Sequence, residues 1–134
     1  MDIQTEAMES HDNMRTDKQL AGDQAESLAI ALIERAGLRV LERNYRVRGG
    51  EIDGIALDGE TLVFIEVRFR KNHRFGGAAA SIDQRKQQRI IHAAQIYLMQ
   101  NPRHANRSCR FDCVLLDALD TNAAEWIKDA FQLF

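Results

Sequence analysis

Two carboxylates carry the chemistry this chain could do: Asp53 in Gly49-Gly50-Glu51-Ile52-Asp53, and Glu66 in Ile65-Glu66-Val67-Arg68. Between them lie two short apolar runs and an Asp58-Gly59 turn signal, the pattern of a β-hairpin. Side chains alternate along a strand, so Glu51, Asp53, Ile55 and Leu57 share one face of the first strand. Leu62, Phe64, Glu66, Arg68 and Arg70 share one face of the second. With an Asp58-Gly59 loop, Asp53 pairs with Phe64 and is diagonal to Glu66; with a Gly59-Glu60 loop it lies directly opposite Glu66. Either loop puts both carboxylates on one face, about 5–8 Å apart. At that range they repel unless something compensates, and a hard divalent cation such as Mg²⁺ or Mn²⁺ does so through oxygen ligands. Arg68 points the same way and could hold a phosphate bidentately. A metal beside a basic side chain is equipment for phosphodiester hydrolysis. The competing reading is a pair of strand-end carboxylates neutralised by Arg48, Arg68 or Arg70. Glu66 counts against it, because it follows Leu62-Val63-Phe64-Ile65, where an idle carboxylate is costly.

Net charge is −2, which argues against a uniformly basic nucleic-acid binder. The distribution points the other way. Residues 39–110 hold fourteen bases and seven acids, and the segments on either side are acidic. A local basic field is what attracts a phosphate backbone. Arg46, Arg48, Arg70 and Lys71 could steer a nucleic-acid strand, unless these side chains only cover solvated faces. Arg85, Lys86 and Arg89 divide the same way between a solvated helix face and phosphate contacts.

The elements around the hairpin follow from pattern. Residues 1–16 are polar and aperiodic and read as a disordered tail; residues 17–134 read as a single domain. Lys18–Ala36 is helical, stopped by Gly37, with Glu26 near its apolar stripe. Residues 38–47 read as a strand broken near Asn44, followed by strands 51–57 and 61–69. After a loop containing Gly76-Gly77, Ser81 is the expected N-cap of a helix running to about Gln100, and Pro102 marks its end. Residues 109–117 form a strand, and 123–131 a short amphipathic helix anchored by Trp126. This is a mixed α/β sandwich around a small sheet.

Other chemistries find little support. No apolar run is long enough to span a bilayer, and residues 1–6 carry no signal-peptide pattern. Cys109 and Cys113 lack zinc spacing and read as reduced thiols of a cytoplasmic protein. His73, His92 and His104 have no metal-ligand pairing; Asp112 reads as a structural acid at a strand end. Hydrolase-elbow, P-loop and dinucleotide-binding motifs are missing from the sequence.

The Gly-Glu-Ile-Asp of residues 50–53, Val-Phe-Ile-Glu-Val-Arg of 63–68, Tyr45-Arg46, the Gly76–Ser81 stretch, Lys86-Gln87, Arg110-Phe111-Asp112 and the Trp126–Phe131 ending resemble the PD-(D/E)XK nuclease superfamily, and more closely its YraN family. The resemblance runs from about Gly22 to Phe131. It implies a restriction-endonuclease-like α-β-β-β-α-β core, a mixed sheet flanked by helices, with the short C-terminal helix added. It also implies a Mg²⁺- or Mn²⁺-dependent nuclease acting on nucleic acid, DNA in the first instance. Under it, Asp53 and Glu66 are metal-binding acids, the Val67 carbonyl is a backbone ligand, and Glu26 completes the site. Lys86 and Gln87 support the site or touch substrate. Arg68 stands where the superfamily has lysine; it can stabilise phosphate charge but stays protonated, so it is not a general base. Gly54 stands where a bulky apolar residue is usual and marks an expected bulge. The alternative is a catalytically inactive module of the same fold that binds nucleic acid or a protein partner, or pairs as a homodimer.

Overall fold

Helix α1, Asp17–Arg35, is closed at both ends by its own sequence. Thr16 accepts from the Gln19 backbone N–H while the Gln19 side chain accepts from the Thr16 N–H, a reciprocal capping box. At the other end Gly37 takes φ +101°, Leu38 N–H reaches Ile33 O and Gly37 N–H reaches Glu34 O. This Schellman closure turns the chain directly into the first strand. The structure is a computed structural model that describes residues 16–69, 82–116 and 124–132. The expected tail up to Arg15, the loop with Gly76-Gly77, and Arg70, Lys71, His73 and Ser81 lie outside the described residues.

Strands β1 (Arg39–Val47), β2 (Gly50–Asp58) and β3 (Thr61–Phe69) form an antiparallel meander. Helix α2 (Gln84–Gln100) and a 3₁₀ turn (Pro102–His104) lead to β4 (Cys109–Leu116), which lies parallel to β3. Strand β5 (Ala124–Phe131) returns antiparallel to β4, so the sheet order is β1-β2-β3-β4-β5. The α-β-β-β-α-β order of the restriction-endonuclease-like core is therefore present.

The sheet separates two cores. Ile55, Leu62, Phe64, Phe111 and Leu115 pack with Ile90, Ala94 and Tyr97 of α2. Ala56, Val63, Ile65, Val114 and Leu116 pack with Ala25, Ala29 and Ile33 of α1. Alternate residues of β3 and β4 feed opposite cores, which is why these strands are apolar throughout.

Three expectations change. The helix over 123–131 is strand β5, and Trp126 anchors that strand. Asp129 adopts φ +55°, and the β4–β5 register shifts between Phe111 and Cys113. The irregularity spaces Ile127, Ala130 and Phe131 on the α2 side by three and one, which imitates helical periodicity. The cap of α2 is Asp83, which accepts from Lys86 N–H at 2.8 Å. The bulge expected at Gly54 falls instead in β1, between Val40 and Glu42. Gly54 has a packing reason: a Cβ there would lie 3.1 Å from Ile30 Cδ1, so glycine lets α1 close on β2.

Candidate metal and phosphate site

The aim of Asp53 is set by a break in strand alternation. Asn44 and Asp53 sit between the pairs Arg43↔Gly54 and Tyr45↔Ile52, and Asn44 has φ +52°. Ile52 and Ile55 are an odd number of residues apart yet both enter the α2-side core. A regular strand would send them to opposite faces. Asp53, at this turn of the backbone, is directed across to β3. The β2–β3 register runs from Asp58↔Thr61 to Gly54↔Ile65, so Gly59-Glu60 is the loop, and the ladder ends one residue short of Asp53 and Glu66. Gly59 has φ +61°, as the first position of a type II′ hairpin requires. Past Gly54 the side chain takes over from the backbone: Asp53 Oδ2 accepts from Val67 N–H at 2.8 Å.

Glu66 is 3% exposed. Its Oε1 is buried with no hydrogen-bond partner, while Oε2 lies 3.3 Å from Lys86 Nζ and 3.8 Å from an Arg68 guanidinium nitrogen. Burial, then the charge of Asp53 and a hydrogen bond between the two carboxyl groups, push the Glu66 pKa up to about 8; Lys86 pulls against them. A protonated Glu66 donates to Asp53. An ionised Glu66 holds an oxygen with no donor, which is costly in a buried place.

The other predicted residues divide. Lys86, in the first turn of α2, reaches Glu66 and also Glu51 Oε1 at 3.9 Å, so it belongs with the carboxylates. Glu51 was not among the expected site residues; the signal for it is its place two residues before Asp53 on the same strand. Arg46 is exposed and pairs with Glu51 at 3.6 Å. Arg68 is partly exposed at the mouth of the site. Glu26 is half-buried on α1, and its carboxyl is raised by burial and by Asp53, with Arg43 and Arg46 opposing. Arg48 is exposed, and its carbonyl lies 3.1 Å from His92 Nε2. Gln87 donates to Ile82 O at 3.1 Å, a bond that holds the entry to α2.

Oxygen donors with one orphaned and buried are a set that fits a hard cation. The fit is limited in one respect: among the described residues, no three His, Cys, Asp or Glu side chains converge closely enough to hold a metal. Glu26 therefore acts on Asp53 through space.

Asp112 is fully buried and structural, as expected. It accepts from Arg110 Nε, Trp126 Nε1 and Asp129 N–H at 3.0, 3.0 and 2.9 Å, holding β5 onto β4 at its irregular point. Cys109 is partly buried and Cys113 is buried, each as a thiol. No helix among the described residues is long and apolar enough to cross a membrane.

Residues 25–116 match the family described as Uncharacterised protein family UPF0102. The chain is 54% identical over 110 residues to a UPF0102 protein of Dechloromonas aromatica (strain RCB), covering 82% of this chain and 87% of that one. It is 44% identical over 119 residues to a UPF0102 protein of Pseudomonas syringae pv. syringae (strain B728a), covering 87% and 97%. A UPF0102 protein of Pseudomonas aeruginosa (strain LESB58) is 48% identical over 113 residues, covering 82% and 90%. The match takes in the part of α1 that carries Glu26, both acidic strands and α2, and on it this chain belongs to the UPF0102 family, the YraN family.

Proposed function

We propose that this protein is a divalent-metal-dependent phosphodiesterase acting on nucleic acid, DNA in the first instance, with Asp53 and Glu66 as its central acids. The observation that carries the reading is Glu66: a 3%-exposed carboxylate with an unpartnered oxygen, beside a second carboxylate and under a lysine. A purely structural acid would be satisfied as Asp112 is.

Asp53, Glu66 and the Val67 carbonyl would hold Mg²⁺ or Mn²⁺, which supplies Lewis-acid stabilisation of the phosphoryl oxygens when bound. Asp53 is kept in place by Val67 N–H and spends no entropy on finding its position. Lys86 supplies the ammonium that the motif lacks at position 68, from the neighbouring helix. Its Nζ faces the carboxylates and could orient a water or meet an equatorial phosphate oxygen. Arg68, at the rim, contacts phosphate as a permanent cation. Arg46 and Arg48 are exposed and steer the strand by charge, and Glu26 adds negative potential behind Asp53.

The test is cleavage of branched, nicked, single-stranded and double-stranded DNA, and of RNA, in Mn²⁺. Wild type should cut at least one of them, with Asp53→Ala and Lys86→Met inactive. No cleavage of any, or cleavage persisting in Asp53→Ala, sinks the catalytic reading.

A second reading has its own observation. Lys86 pairs with Glu66 and Glu51, and among the described residues no third His, Cys, Asp or Glu completes a metal-holding group, so the fold could bind nucleic acid or a protein partner without turnover. That module binds DNA in a salt-sensitive way, needs no metal, and is indifferent to Glu66→Gln.

A further inference from the structure

Where arginines are held in this fold, an acid usually holds them. Arg110 meets Asp58 at 2.9 Å and Asp112 at 3.0 Å, and Arg46 and Arg68 meet Glu51 and Glu66. Arg107 is held differently. Its Nε donates to His104 Nδ1 at 2.9 Å and an Nη donates to the Glu60 carbonyl at 3.1 Å. Both acceptors are neutral, so the guanidinium is fixed without being cancelled. His104 is 4% exposed, and by accepting at Nδ1 it carries its proton on Nε2. Burial, then Arg103 and Arg107, lower its pKa, so the ring stays neutral beside the arginine. Arg103 is exposed and has no hydrogen bond or ion pair among the described residues.

Arg103 and Arg107 line a pocket of about 480 Å³ between the β2–β3 turn and the connection from α2 to β4. Glu60, Thr61, Arg103, Asn106, Arg107 and Ser108 line it. Two arginines face one acid there, and the hydroxyls of Thr61 and Ser108 and the amide of Asn106 add donors. A guanidinium already fixed by neutral partners meets an anion at little ordering cost. The pocket opens at the first residue of β3, whereas Glu66 stands five residues further along the strand, about 16 Å at strand rise. It is a different place from the carboxylate site.

We propose that the Arg103–Arg107 pocket binds a phosphate group. The phosphate could belong to a nucleic-acid backbone or to a small phosphorylated molecule, and the same chemistry recognises both.

Pyrophosphate titrated into the ¹⁵N-labelled full chain in EDTA should shift the amides of Asn106, Arg107 and Ser108. EDTA keeps the test independent of any metal at Asp53 and Glu66. Arg103→Glu should weaken this binding at least about tenfold, because it sets like charge against the ligand. Glu60→Gln should tighten it, because it removes the one acid of the lining. In a second arm, a 20-base-pair duplex is titrated at several salt concentrations. If the phosphate is a backbone phosphate, Arg103→Ala lowers the salt slope by about 1. An unchanged slope with pyrophosphate binding intact assigns the pocket to a free phosphorylated molecule. No amide shifts in wild type, or equal binding in wild type, Arg103→Glu and Glu60→Gln, overturns the proposal.

Discussion

Asp53 Oδ2 accepts the Val67 backbone N–H at 2.8 Å, one step beyond the last regular β2–β3 pair, Gly54↔Ile65. A side chain thus occupies the position where a ladder carbonyl would have been. This ties the acid of one strand to the residue after the acid of the next. Asp53→Ala leaves that N–H without its acceptor and should cost about 1–2 kcal/mol. Asp53→Asn keeps an acceptor oxygen and should cost less. Urea denaturation of the two variants checks the ordering, and equal losses would remove the bond from the account.

Glu66→Gln should make the metal-free protein more stable above pH 8. The substitution removes a buried charge and puts an amide donor within reach of Asp53. A gain of about 1–3 kcal/mol is the scale of an unsatisfied buried group. The same variant should lose any rise in melting temperature that Mn²⁺ gives wild type. Thermal melts with and without Mn²⁺ read both effects; destabilisation in EDTA at high pH would show that Glu66 is satisfied in the fold.

The pH dependence has a definite sign. The folded-state pKa of Glu66, about 8, lies above its ordinary 4.5, so between those values the native chain holds a proton that the unfolded chain has lost. Stability from this group is present in full at low pH and is lost as pH rises through about 8. Glu26, also raised, has the same sign. His104, lowered by burial, has the opposite sign and weakens the fold as pH falls below its ordinary range. Wild type should therefore lose stability from pH 5 to 8 relative to Glu66→Gln, and denaturation midpoints at half-unit steps test it. Affinity for a divalent ion should climb over the same interval, since the ion displaces the proton.

Much of the frame could be read from the chain because local signals agreed with the fold. Gly37, the Asp58-Gly59-Glu60 hairpin and Pro102 stop or turn elements where the structure does. The even Gly59-Glu60 loop is one of the two the sequence offers, but side-chain alternation breaks between Ile52 and Ile55, so parity alone does not fix where Asp53 points. What escaped was whatever depends on broken periodicity. Asp129 at φ +55° turned a strand into a helix-like pattern, and Asn44 at φ +52° re-aimed Asp53. Lys86 was legible as a basic helix residue, but its reach to Glu66 is a property of how α2 crosses the sheet, which no local pattern carries.

Gly50 sets how closely α2 approaches that site. A Cβ there would collide with the Arg89 carbonyl, a backbone atom that cannot swing aside. Gly50→Ala should cost about 3 kcal/mol or more by forcing the helix off β2. Lys86 would move with it, so metal-linked stabilisation should change in parallel. A near-neutral melt would mean the helix gives way at no cost.

Asp112→Asn should be among the most damaging conservative changes. It leaves Arg110 beside a buried amide and weakens the grip on Trp126 and Asp129. Arg110 keeps its pairing with Asp58, so the loss is that of weakened hydrogen bonds to a buried carboxylate, about 1–3 kcal/mol. Trp126 is the lone tryptophan, so its fluorescence reports detachment of β5 directly.

The irregular residues of the outer strands have a consequence for assembly. β1 and β5 are the two margins of the sheet, and each is interrupted: β1 by the register shift at Val40/Glu42 and by Asn44, β5 by Asp129. A straight margin with unpaired amides would recruit a further strand from another copy, and repetition of that contact would polymerise the protein. Kinked margins offer no continuous template. Among the described residues the sheet has five strands, and neither of its margins is a straight, uninterrupted template for a sixth.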